Sequence, residues 1–301
     1  MARSQKQFVR WVPREVSSWP YQVFKSHERE LYRSYWAYMP TIKLVYTHLG
    51  GVAKWEDLPT EHLVFKDEQK AALFKDMKDW SSGFNEFENW TNLNALVSLV
   101  SYLETYISAI VSLAIESDVG VLYGASKSID GIYVLKHGNI LKSNIGVHVK
   151  NCVKGDWSSR IAAYKSMFGT VPTVLESNIS DLEAMRNLRN NIGHAFGRDI
   201  EDSRRKGIRR TAPMERLSFE RLYKYQRLAK KIAGAIDKHL LHQHIGDFET
   251  IYFYHQMVPT LPTHVHPNSR AILFKKALGR FGAQSIGKNF CYGLVMYYES
   301  L

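Results

Sequence analysis

The chain has 301 residues, of which 45% are hydrophobic, 13% aromatic and 23% charged. This composition excludes a disordered or low-complexity polypeptide and supplies enough apolar surface for one elaborated domain or two small ones. Forty Lys and Arg against 29 Asp and Glu leave a formal charge of +11, which points to an anionic partner, with nucleic acid ahead of a membrane surface.

The N-terminal "MARSQKQFVRWVPREV" is basic but has no apolar run, so it does not read as a secretory signal. "SHERELYRSYWAYMPTIKLVYTHL" reads as a helix interrupted at Pro40, and "KDEQKAALFKDMKDW" as a second helix. From Asn89 to Glu116 one long helix is expected, because Leu93, Leu96, Val100, Leu103, Ile107, Ile110 and Leu113 recur every three or four residues. Its apolar run is long enough to cross a membrane, but Asn94, Tyr102, Glu104 and several serines interrupt it. We read it as a buried core helix, with no membrane partner. Residues 120–155 read as an irregular insertion, and "WSSRIAAYKSMFG" as a short helix.

A helix then opens at Ser180, where Ser180 and Glu183 form a capping box, and runs to about Phe196 before Gly197. The basic loop "SRRKGIRR" follows, then a long helix from Leu217 to about His242. The tail, 246–301, carries aromatic strand-like runs, "ETIYFYHQMV" and "NFCYGLVMYY". Two cysteines, Cys152 and Cys291, do not make a disulfide framework, so a reducing, cytoplasmic setting is expected. The fold class is therefore mainly α, with three segments: 1–84, a helical extension; 85–245, a helical domain holding the insertion; and 246–301, a mixed extension.

The chemistry gathers in "RNLRNNIGHA", Arg186 to Ala195. On a helical wheel Leu182, Met185, Leu188, Ile192 and Phe196 share the core arc. Arg186, Asn190, Gly193 and His194 fall on the neighbouring arc, with Arg189 at its border. The stripe thus combines a fixed cation, amides, a side-chain gap at Gly193 and an imidazole that titrates near neutrality. An arginine holds a phosphate through two hydrogen bonds, and a histidine gives or takes a proton. Together they suit metal-free cleavage of an RNA phosphodiester.

"RNNIGH" resembles the motif of the HEPN family, an Arg followed by a polar residue and, four to six residues further on, a His. Arg189, Asn190 and His194 occupy those positions. The likeness covers about 85–245 and implies a HEPN-like helical bundle with the motif near the end of a late core helix. It also implies a metal-independent endoribonuclease of the toxin or phage-defence type, acting as a homodimer whose two motif helices face each other. An antitoxin or defence protein is a further implied partner. HEPN bundles often carry an acidic residue on an earlier helix that meets the motif Arg, and Glu104 stands in the matching place. A buried carboxylate should be paired, and Arg189 is the expected partner. Some members of the family bind RNA without cutting it.

Arg204, Arg205, Lys206, Arg209 and Arg210 lie within 16 residues of His194 and, with Arg186, are expected to contact the RNA backbone. His239, His242 and His244 lack the spacing of a zinc site, so neither metal nor cofactor is expected. Three function classes remain: an endoribonuclease, an RNA-binding sensor in a defence complex, and a DNA-acting protein.

Overall fold

The computed structural model describes residues 8–138, 145–195, 198, 201, 204, 213–261, 265–281 and 286–301. The protein is mainly α-helical. Among the described residues there is no sheet, only an isolated antiparallel bridge between Asp118 and Asp130. The helices of ten or more residues are α1 Trp19–Val52, α2 Met77–Ser117, α3 Trp157–Phe168, α4 Ile179–Ala195, α5 Phe219–Leu240, α6 Phe248–Met257, α7 Pro267–Arg280 and α8 Lys288–Ser300.

They pack into two compact units, neither of them one continuous stretch of chain. One comprises Phe24–Leu103 and Ser180–Lys230; the other comprises Met1–Val23, Glu104–Ile179 and Lys231–Leu301. We call them the motif unit and the composite unit. Helices α1, α2, α4 and α5 each contribute residues to both.

In the motif unit, α1 runs straight through Pro40, where the sequence predicts a break. Proline removes one backbone donor and costs about 3 kcal/mol in a helix interior. Here Pro40 is exposed, while Tyr35 on one side of it and Ile42 and Leu49 on the other are buried one every two turns. Burying a large apolar side chain contributes about 1.5–3 kcal/mol, so that stripe outweighs the proline. The expected second helix at 66–80 is divided. Only Glu68–Ala71 forms a short turn, and the rest of the segment opens α2 at Met77. Leu93, Leu96, Val100 and Leu103 of α2 are buried, as the apolar spacing predicts, and so is Leu99, while the predicted Leu113 is only half-buried. By length and composition α2 could cross a membrane, and half of its most apolar window is buried within the protein.

Helix α3 stands where the sequence places it, begun by Asp156, whose carboxylate accepts from the Ser159 amide. In the insertion a 3-10 turn, Val119–Tyr123, is followed by helices Gly131–Lys136 and Ile145–Val153. The tail corrects the strand-like reading: both aromatic runs are helices. In α6 Phe248, Ile251 and Tyr254 are buried three residues apart. In α8 Phe290, Cys291, Leu294, Val295 and Tyr298 follow the three-to-four spacing of a helix face. Aromatic and β-branched composition favours strands only where neighbouring strands can pair, and here the period decides. Cys152 and Cys291 are both free and buried.

Candidate nucleic-acid site on the motif helix

Helix α4 carries the stripe. It opens at Ile179, one residue before the expected cap. Leu182, Met185 and Leu188 are buried and hold one side of the helix in the motif unit. Arg189 and Asn190 are half-buried, while Gly193 and His194 are exposed. Phe196 and Gly197 lie outside the described residues. Of the predicted core arc Leu182, Met185 and Leu188 are buried, while Ile192 is half-buried like Arg186, Arg189 and Asn190.

Within the polar arc the two adjacent asparagines take different tasks. Asn190 accepts a hydrogen bond from Arg189 Nη1 at 3.1 Å, which orients the guanidinium. Asn191 donates to Glu215 Oε1 at 2.9 Å and ties α4 to the segment that leads into α5. That segment is itself latched to α2. Asn89 donates to the Glu215 carbonyl at 2.8 Å and accepts from the Leu217 amide at 2.9 Å. Asn92 donates to the Leu217 carbonyl at 3.0 Å and accepts from the Tyr35 hydroxyl at 2.7 Å. Buried amides need partners, and these two use theirs to pin non-helical backbone. Sequence reading missed both. The only local signal was two amides three residues apart, on the side of the helix that Leu93 and Leu96 continue.

Arg186 is ion-paired to Glu183 one turn earlier, its Nε donating to Oε1 at 2.8 Å. This leaves Glu183 as a neutralising partner for the arginine rather than the capping-box member expected. Gly193 faces open space: a methyl group built on its Cα meets no described atom within 4 Å. Of the basic loop, Arg204 is exposed; Arg205, Lys206, Arg209 and Arg210 lie outside the described residues.

Glu104, which the resemblance pairs with Arg189, accepts at Oε1 from Arg160 Nη2 at 3.0 Å, and both side chains are buried. Arg160 also donates to the Gly155 carbonyl at 3.0 Å and lies 4.8 Å from the Trp157 ring centroid. The buried carboxylate thus has a cation of α3 beside it, as a buried charge requires.

A second histidine centre, in the composite unit, follows α5. A π-helical turn, Leu241–Ile245, puts His244 inside, where Nδ1 lies 2.9 Å from Asp118 Oδ2. Asp118 also accepts from Ser126 Oγ at 2.6 Å and from the Lys127 amide at 2.7 Å. Burial raises the Asp118 carboxyl, but these hydrogen bonds and the His244 charge outweigh it and hold the group below its ordinary value. Ser, His and Asp meet here, yet Ser126 approaches the same ring nitrogen that Asp118 occupies, at 3.5 Å. A hydrolytic triad needs Ser and Asp on opposite nitrogens, so this cluster is a structural knot. Gly246 ends the turn with φ of +55°, and any Cβ there would fall 2.3 Å from the Arg10 carbonyl. Arg10 closes the same region by donating to Asp130 at 2.8 and 3.1 Å and to the Ile245 carbonyl at 2.7 Å.

Among the described residues, Asp57, Glu61 and His62 bring three potential metal-ligand atoms within 4.8 Å of one another. Asp57 is already held by His62 Nε2 at 2.7 Å and the Lys54 amide at 2.8 Å, the bonding of a turn. No protein-family model, curated protein or solved structure matches the chain.

Proposed function

We propose that the protein is a metal-independent endoribonuclease of the HEPN type, with Arg189 and His194 as catalytic residues and Asn190 orienting Arg189. The observation that carries this reading is the polar arc of α4. A half-buried arginine braced by its neighbouring amide and an exposed histidine stand five residues apart on one helix, which Leu182, Met185 and Leu188 anchor in the motif unit.

The chemistry is transesterification. The 2′-oxygen of one nucleotide forms a bond to the adjacent phosphorus as the bond from phosphorus to the 5′-oxygen breaks. A histidine accepts the 2′-hydroxyl proton and an acid delivers a proton to the departing 5′-oxygen. Arg189 stabilises the charge on the five-coordinate phosphorus. One chain offers one such histidine on the stripe, so a second copy across a two-fold axis would supply the other proton-transfer group. Glu104, buried and bonded to Arg160, would act in this step as a support only. Arg186 is reached by RNA only in competition with Glu183, while Arg204 and the basic residues after it would follow the phosphate backbone.

The test is incubation of the purified protein with RNA in EDTA beside His194→Ala and Arg189→Ala. Cleavage that persists in EDTA, leaves 2′,3′-cyclic phosphate ends and is lost in both variants is the expected result. Intact RNA bound tightly by the wild-type protein would overturn the enzyme reading in favour of an RNA-binding sensor. Equal cutting of DNA would overturn the mechanism, which requires a 2′-hydroxyl.

A further inference from the structure

An open cavity of about 600 Å³ lies in the composite unit between the end of α5 and the segment from Val171 to Val174. Its volume is within the range of small-molecule sites, roughly 300–1,000 Å³. The helix contributes Lys231, Ala235 and Lys238, and the π-helical turn that follows contributes His242 and Gln243. Lys231 and Lys238 are seven residues apart, two turns of one face, with only the methyl group of Ala235 between them. Their flexible stems can therefore bring both ammonium groups over the same small residue. Among the described residues neither lysine has an acidic partner, and no carboxylate lines the cavity.

The segment Val171, Pro172, Thr173 and Val174 forms another, mostly apolar wall with one hydroxyl, that of Thr173. The end of the cavity is fixed by His239, whose Nδ1 is 2.7 Å from the Tyr164 hydroxyl and whose Nε2 is 2.9 Å from the Thr170 hydroxyl. The π turn explains why this arrangement does not follow from an α-helical wheel. One such turn widens the helix locally, so His244 goes inward to Asp118 while His242 stays at the cavity rim. Single π turns inside helices are frequent at functional sites.

We propose that this cavity binds a small phosphate monoester, its dianionic phosphoryl group between Lys231 and Lys238 and its apolar ester group against Pro172 and Val174. Two unneutralised lysines match a group that carries close to two negative charges at neutral pH. The apolar wall separates this ligand from inorganic phosphate, which has nothing to place there. Its residues all belong to the composite unit, and those of the stripe on α4 to the motif unit.

Calorimetric titration of phenyl phosphate, inorganic phosphate and benzyl alcohol into the full chain tests it. Phenyl phosphate is expected to bind saturably, and the double variant Lys231→Gln/Lys238→Gln to weaken it about tenfold or more, since hydrogen bonds to a charged group are the strong ones. Both lysines are exposed, so this variant should keep its fold, checked by circular dichroism. Ala235→Leu retains the charges but fills the space between them, and it should also remove binding of phenyl phosphate. Absence of binding at millimolar phenyl phosphate overturns the proposal, as does binding unchanged in the double variant. Equal affinity for inorganic phosphate or for benzyl alcohol overturns the assignment to a monoester. RNA cleavage by the wild-type protein bears on none of these outcomes.

Discussion

The protein has two histidine centres, and they differ in what their surroundings leave open. On α4, His194 is exposed, one residue after a glycine that faces empty space, on a polar arc that begins beside a braced arginine. After α5, His244 is buried against Asp118 and next to Ser126, and His239 has both ring nitrogens engaged. An imidazole with its bonding complete holds backbone in place. An exposed imidazole, on the same helix as a cation braced by its neighbour, leaves its ring open to solvent. The residue types in the two centres are similar, and what differs is bonding and exposure.

The comparison breaks most visibly at His194. His194→Ala should reduce RNA cleavage by about 10²–10⁴-fold, the usual contribution of a positioned acid or base, with Tm unchanged within about 2 °C. A large drop in Tm would place His194 among the structural histidines.

Asp118→Ala should do the reverse. Removing one partner of a buried pair costs about 3–5 kcal/mol, read as a fall in the denaturation midpoint in urea. Because the Asp118 carboxyl is held below its ordinary value of 3.8, its contribution is present above that pH and is lost as pH falls through the folded-state value. The variant should therefore approach wild-type stability only in strong acid.

Glu249 sharpens the contrast with a group that titrates in the opposite sense. Burial pushes its carboxyl up from 4.5 to about 8, against the hydrogen bond that it accepts from the Trp19 amide. Its stabilising contribution is full below the ordinary value and is lost as pH rises through about 8. Glu249→Gln should accordingly gain stability over wild type between pH 5 and pH 8, by about 1–3 kcal/mol at the upper end, and Tm measured against pH will check it.

The smallest effect is at Gly193. Gly193→Ala meets no described atom, so helix propensity should raise stability by about 0.5–1 kcal/mol. If the gap admits a phosphate, the same change lowers cleavage while raising Tm, a divergence that a merely tolerant helix position would not produce.

Much of the motif unit was legible in the residue spacing. Apolar side chains at three and four residues predict which sides of α2 and α4 are buried, because an α-helix has one period and water sorts its faces. The tail misled because its aromatic and β-branched content resembles that of a strand. Its buried positions, Phe290, Leu294 and Tyr298, are four apart and follow the helix. Pro40 misled for a related reason: a local penalty of known size was outweighed by burial on both sides, which no local reading can sum.

By itself, then, the sequence determined the helical class, the core arc of α4 and the polar arc beside it, all of which depend on neighbours within a few turns. Only the tertiary structure decided that Glu104 meets Arg160, that Asn89 and Asn92 latch the segment entering α5, and that the π turn divides His242 from His244. The latch bonds join residues about 125 positions apart, and the Glu104–Arg160 pair spans 56. The need for a partner is a property of a buried charge or amide and can be read locally. Which partner meets it depends on how distant segments pack, and a helical period carries no record of that.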